Sequence, residues 1–377
     1  MSSKRRAVGQ DDDPRPSLRH CRRHRHAAGR RKHLYLVLDD WNNGFSIHKI
    51  DPDSLDDESP AGAGQGQQHL PEPPVLRLES PIGSVPHDRV SFSALGTKML
   101  VFMNHRCALV YDTETAVVSI GPHAPARMLC GSGVTLPAGG MLYALSHRFF
   151  DKEDPSSFHV MQQEDGGWSW KTLPEPPPSF TSRQIVVSHA LHPDGRTIFM
   201  TMADGGTPGE PLGTYSFNTE RSEWRSHGDW ALPFFGQGYF DSELDAWVGL
   251  HPEGYVCSCQ VASRSRSSNS ESSMILMTKE KLAYDYEDWD DRRGSASLTY
   301  MNMMGGTSKF CTVQTMMPDG VDDEDRDYCS ARQLRFTMFG LKYDRSGELR
   351  VTNRRSTRSF LLSKHRYNLF VPFALWI

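Results

Sequence analysis

Sixteen histidines, seven cysteines and several closely spaced carboxylates are the groups through which this 377-residue chain could do chemistry. Three arrangements have the spacing of a site. His189 and His192 (HALH) lie three apart, which on a strand places them on opposite faces, so a shared metal would need a turn between them. Asp241, Glu243 and Asp245 (DSELD) alternate, so an extended segment projects all three carboxylates from one face, where converging oxygens suit a hard cation. The competing reading is a solvated loop at a strand end. Cys257 and Cys259 share one face of a strand, but no second Cys or His pair follows at the spacing of a structural zinc site. They read as buried strand cysteines. His20, His24 and His26 belong to a polar, basic stretch and read as part of it rather than as ligands.

Linear catalytic signatures are missing. The chain has no nucleophile elbow, phosphate loop, dinucleotide fingerprint or His-Glu-x-x-His pattern. Gly205-Gly206 and Gly305-Gly306 follow apolar runs without opening helices, and read as hairpin turns. Trp168, Trp170, Trp224, Trp230, Trp247 and Trp289 have faces on which sugars or bases could stack, though packing between sheets is the commoner use of such rings. No catalytic, cofactor-binding or metal residue is assigned from the sequence, and no cofactor is expected.

The elements that would have to position any site are short strands in a recurring pattern. An apolar run, a polar turn and a second run ending in an Asp-Thr-Glu type of turn return along the chain, as in LGTKMLVF followed by CALVYDTETAVVSI. The first runs begin near residues 34, 99, 141, 197, 246 and 309. Val, Tyr, Phe, Ile and Thr fill them, as suits a pleated surface. Gly139-Gly140 and Pro193-Asp194-Gly195 supply tight turns, while Asp112, Asn218 and Asp344 stand where a side chain can bond its own backbone. The pattern predicts an all-β chain, a kelch-like β-propeller of about six blades, with a chain of two-sheet sandwiches as the alternative. Closure would draw on LYLVL from the N-terminal side and on SFLLSK and FVPFALWI from the C-terminal side. Met274–Tyr286 alone reads as weakly helical.

Charge is distributed unevenly. Residues 1–32 carry eleven Lys/Arg against Asp11, Asp12 and Asp13, a balance of +8, which leaves −12 for the rest by subtraction from the net −4. An acidic body repels phosphates, so nucleic acid is an expected partner only weakly, through the basic tail. Lys4-Arg5-Arg6 and Arg30-Arg31-Lys32 suit a nuclear import signal, with a transit peptide or a solvated, disordered tail as alternatives. No apolar run approaches the roughly 18 residues of a membrane-spanning helix. The scattered, odd cysteine set fits an intracellular setting, nucleus or cytoplasm. The expected organisation is a disordered tail over 1–32 and a single domain over 33–377, with loop insertions near 53–74, 263–295 and 317–333.

Four segments carry a resemblance: KHLYLVLDDWNNGFSIHKIDP from Lys32, FMNHRCALVYDTETAVVSIGPHAP from Phe102, GYFDSELDAWVGLHPEGYVCSCQVASR from Gly238 and FGLKYDRSGELR from Phe339. They are similar to an expanded cereal-grass family of proteins of unknown function, and the likeness runs over nearly all of residues 33–377. That family resembles kelch and F-box-associated propellers. The resemblance implies a plant source and a propeller fold, and it brings no catalytic residue. No F-box helix bundle precedes the repeats, so a ubiquitin-ligase adaptor is not what the likeness predicts. The functional expectation is a non-catalytic module that binds unknown protein partners through loops, the alternative being an enzyme or small-molecule receptor that uses a central pocket. Oligomeric state is left open by the sequence.

Overall fold

The computed structural model describes residues 33–41, 44–51, 70, 72–79, 91–102, 107–125, 133–147, 156–165, 167–175, 184–204, 211–262, 275–283, 294–301, 309–316, 331–355, 359–363 and 373–377. The described residues are all-β and contain no helix. The basic stretch 1–32, Gly205-Gly206, Gly305-Gly306 and Trp289, together with most of the three expected insertions, lie outside them.

Strands follow one another as antiparallel meanders. The second meander holds β4 (Ser91–Leu95), β5 (Lys98–Phe102), β6 (Cys107–Asp112) and β7 (Val117–His123). The third holds β8 (Gly133–Ala138), β9 (Met141–His147), β10 (Ser156–Glu164) and β11 (Gly167–Thr172). The fourth is β12 (Gln184–Leu191), β13 (Thr197–Asp204), β14 (Pro211–Asn218) and β15 (Glu223–Ser226). The fifth is β16 (Phe235–Asp241), β17 (Ala246–Leu250), β18 (Tyr255–Gln260) and β19 (Leu276–Lys281). The sixth is β20 (Gly294–Met301), β21 (Lys309–Met316), β22 (Ala331–Tyr343) and β23 (Leu349–Arg355), with β24 (Ser359–Ser363) also paired to β22. The first meander is composite: β1 (Leu34–Trp41), β2 (Gly44–Ile50) and β3 (Leu76–Glu79) are completed by β25 (Phe373–Trp376), which pairs with β1. Phe373–Trp376 of FVPFALWI therefore completes the first meander as expected, whereas Ser359–Ser363 of SFLLSK pairs with β22 and extends the sixth.

The turns form as their side chains dictate. Asp112 Oδ1 accepts the amides of Glu114 and Thr115, Asn218 Oδ1 those of Glu220 and Arg221, and Asp344 Oδ1 those of Ser346 and Glu348. At His192-Pro193-Asp194-Gly195, Gly195 takes a φ of 69° and donates its amide to His192 O. The helical reading of Met274–Tyr286 is corrected: Leu276–Lys281 is the edge strand β19. Thr278 is buried there while Met277 and Glu280 face outward, and the backbone bonds offered by β18 outweigh a local helical tendency.

The core lies between meanders. Tyr35, Val37, Phe45 and Ile47 of the first pack on Phe92, Met99 and Tyr111 of the second. Leu100 and Val110 of the second meet Leu142 and Met161 of the third. Phe158 of the third stands edge-on to Phe217 of the fourth, with ring centroids 4.7 Å apart. Phe199 of the fourth packs on Trp247 of the fifth, Val248 and Val256 of the fifth on Phe310 and Phe339 of the sixth. Phe336 and Leu334 of the sixth return to Leu34, Leu36 and Trp376 of the first. The packing order is cyclic, so the described body is β-propeller-like. Strands second from the centre are buried on both faces, which is why Leu34–Asp39 and Thr197–Ala203 read as nearly continuous apolar runs. Burial of each large side chain in such a run contributes roughly 1.5–3 kcal/mol.

Candidate functional site

A connected set of buried polar groups lies where the fourth and fifth meanders meet. Their innermost strands pair in parallel, Ser188 with Gly236, His189 with Gln237 and Ala190 with Gly238, so eight strands form one continuous sheet. The linker between them is held by a chain of hydroxyls. Leu232 N–H donates to Thr201 Oγ1 (3.0 Å), Thr201 to Thr214 Oγ1 (2.9 Å), and Thr214 to Trp230 O (2.7 Å). The last bond uses the only proton of Thr214, which fixes the direction of the one before it. The Phe234 ring lies against Gly238 and Gly249, where a Cβ at either position would run into it. Trp247, fully buried, donates its indole N–H to Leu191 O at 2.9 Å.

Beside this chain Ser216 Oγ lies 2.7 Å from His227 Nε2, both side chains buried. A hydroxyl hydrogen-bonded to an imidazole is the first half of an activated nucleophile. Here the imidazole packs on Phe199 and Trp230, ring centroids 4.9 and 6.4 Å away, and the pair sits inside an apolar interface. Its geometry suits a structural bond that neutralises two buried polar groups.

The residues singled out by sequence have separate fates. His189 is on β12, and burial pushes its imidazole down to about 4, so it is neutral at pH 7. His192 lies beyond the strand end, where its Nδ1 accepts the Asp194 amide at 3.1 Å, and the two histidines do not come together as ligands. Burial acts against the Asp194 carboxylate, yet the amides of Arg196 and Thr197, the Thr197 hydroxyl and His192 hold its pKa below the usual carboxylate range. Asp241 is buried and caps its own turn, Oδ1 accepting the amides of Glu243 (2.9 Å) and Leu244 (3.0 Å). Glu243 and Asp245 are exposed, Asp245 with a φ of 50°, so the three carboxylates do not converge. Among the described residues no group of three or more His, Cys, Asp or Glu has the arrangement of a metal site. Cys257 and Cys259 are buried together in the fourth–fifth interface, and burial raises both thiols, Cys259 to about 12.

The tryptophans pack between meanders. Trp168 and Trp170 lie on β11 against the second–third core, Trp224 on β15 against the third–fourth core, and Trp230 and Trp247 at the fourth–fifth junction. Trp224 donates to Pro174 O at 3.1 Å. Sequence reasoning did not find Thr201, Thr214, Ser216 and His227. The available signal was hydroxyl residues at positions where neighbouring strands carry aliphatic ones.

No helix among the described residues is long and apolar enough to cross a membrane. The model of the family described as protein of unknown function DUF1668 matches residues 31–360, and the chain belongs to that family. No curated protein matches it. Solved structures similar to the chain include apo AztD of Citrobacter koseri, at 11% identity and a TM-score of 0.36, over 92% of this chain and 98% of that one. Another is the β-propeller domain of Myceliophteria thermophila Cps50 (Swd1), at 8% identity and a TM-score of 0.36, over 84% and 85% respectively. A third is an oligogalacturonate lyase in complex with manganese, at 9% identity and a TM-score of 0.32, over 85% and 73%.

Proposed function

We propose that this DUF1668 chain is a non-catalytic protein-interaction module, a kelch-like propeller of six blades that presents partner-binding loops on a rigid ring. The observation that carries this reading is the cyclic packing of the meanders, each with its own apolar interface to the next. A ring fixed at every interface fixes the strand ends from which connections of unequal length leave, and such connections are where binding residues concentrate. The groups that would otherwise suggest chemistry have structural work: Asp241 and His192 cap turns, Ser216 and His227 bond each other, and Cys257 and Cys259 fill the core. On the same reading the protein is an intracellular plant protein of the nucleus or cytoplasm, its partners are proteins, and the basic residues 1–32 serve as address or tether.

The test is proximity labelling in plant cells with the full chain, with a chain lacking residues 1–32, and with chains in which 53–69 or 263–273 are replaced by Gly/Ser of equal length. A reproducible partner set retained without residues 1–32, and depleted by at least one loop replacement at unchanged thermal stability, is the expected result. No enrichment with the full chain, or a partner set indifferent to both replacements, overturns it.

A further inference from the structure

The outermost strand of each meander is an edge, and edges are normally guarded. β3 carries Arg77, β11 Lys171, β15 Arg225, β19 Lys279 and Lys281, and β23 Arg350, Arg354 and Arg355. Cations in an edge strand oppose the approach of a further strand. β7 (VVSIGPH) carries no Lys, Arg, Asp or Glu. Val117, Val118 and Ile120 are 55%, 41% and 76% exposed, and Ile120 is the most exposed large apolar residue among those described. β7 pairs with β6 on one side and with no described strand on the other. Its pairable stretch has defined ends. The capped turn at Asp112 precedes Val117, and a bulge with Pro122, which has no N–H, follows Gly121.

We propose that β7 is a self-association edge on which a second copy of this chain adds its own β7, antiparallel about a two-fold axis at Ser119. In that register Val118 faces Ile120 of the other copy and Val117 faces Gly121, so β-branched side chains meet on one face with no charge opposed. The chemistry of the edge selects the occupant. An uncharged, β-branched strand fits it, and among the described outer strands β7 has that composition, whereas each of the other five would set a charge beside the exposed valines. A ladder of about five residues is far smaller than a standard interface, so the dimer is weak and concentration-dependent. This contact is separate from the loop surfaces proposed above and stands or falls without them.

Sedimentation equilibrium of the full chain between roughly 1 and 200 μM tests the proposal, the range in which so small an interface would associate. The native chain is expected to pass from monomer to dimer, and Ile120→Lys, with an unchanged circular dichroism spectrum, to remain monomeric throughout. Should Ile120→Lys fail to fold, Ser119→Cys decides. Facing itself across the axis, it gives a reducible cross-linked dimer under mild oxidation, beyond that of the native chain and of Ser226→Cys on the guarded strand β15. A native chain that is monomeric over the whole range, a dimer that survives Ile120→Lys, or no cross-link specific to position 119 overturns it.

Discussion

The ring is fastened differently at two of its junctions. At the seam between the first meander and the C-terminal strand, β25 lies against β1 in a regular antiparallel ladder from Leu34–Trp376 to Val37–Phe373, extended by mutual backbone bonds between His33 and Ile377. Around it sits an apolar cluster that includes Leu36, Phe336 and Trp376. Between the fourth and fifth meanders three parallel pairs suffice, supplemented by the hydroxyl chain through Thr201 and Thr214 and by the Trp247 bond to Leu191. The first junction joins residues more than three hundred apart, so bringing them together costs chain entropy that only a full ladder and a large apolar contact offset. The second joins neighbours in sequence, and there directional bonds to a short linker set the geometry of a smaller apolar contact around Phe199, Phe234 and Trp247. Distance along the chain decides how each junction is held.

That contrast can be broken. Deleting residues 373–377 removes β25 and leaves β1 and the Phe336 side of the sixth meander uncovered. The expected loss is roughly 5 kcal/mol or more, enough to abolish a cooperative thermal transition. If the truncated chain melts cooperatively within a few degrees of the native one, the seam is not the costly junction. Trp247→Ala is expected to cost about 3–5 kcal/mol in urea unfolding through the cavity and the lost indole bond. Trp247→Phe should recover most of it, since it keeps the ring contact with Phe199. A phenylalanine variant as damaged as the alanine one would make the hydrogen bond, rather than packing, the main fastener.

Acid sharpens the comparison. His189 titrates near 6.5 in the unfolded chain and about 4 in the folded one. Between those values the unfolded state binds more protons, so stability is complete above pH 6.5 and falls as pH drops towards 4. The loss approaches about 3 kcal/mol from this residue alone. Urea midpoints at pH 7 and pH 4.5 should differ markedly in the native chain and less in His189→Gln; an equal pH dependence in both would assign it elsewhere. The smallest effect belongs to Ser216→Ala, expected to cost about 1–2 kcal/mol because His227 Nε2 loses a short buried bond. Thr201→Val should cost a similar amount, and a double mutant less damaging than the two singles together would mark the hydroxyl bonds of this junction as one coupled set.

Much of this architecture was legible from residues. The repeat starts near 34, 99, 141, 197, 246 and 309 fall on β1, β5, β9, β13, β17 and β21, the strands second from the centre. Their two-sided burial makes them the strongest apolar runs, and the Asx turns at Asp112, Asn218 and Asp344 depend only on side chains within four residues. Trp168 and Trp224 lie second in the outermost strands β11 and β15. Three of the innermost strands were not legible. In SFSAL, GVTLPA and GSASLTYM the apolar residues are interrupted by Ser, Thr, Gly and Ala, so no continuous apolar run marks them.

What the sequence determined by itself, then, was the set of local hairpins, since alternation, turn chemistry and β-branched composition act over a few residues. Tertiary structure alone decided that β25 rather than Ser359–Ser363 closes the ring and that Leu276–Lys281 is a strand. It also left β7 an edge with no described strand beyond it. Each of these depends on which surfaces meet across tens or hundreds of residues, and neither spacing nor composition carries that information.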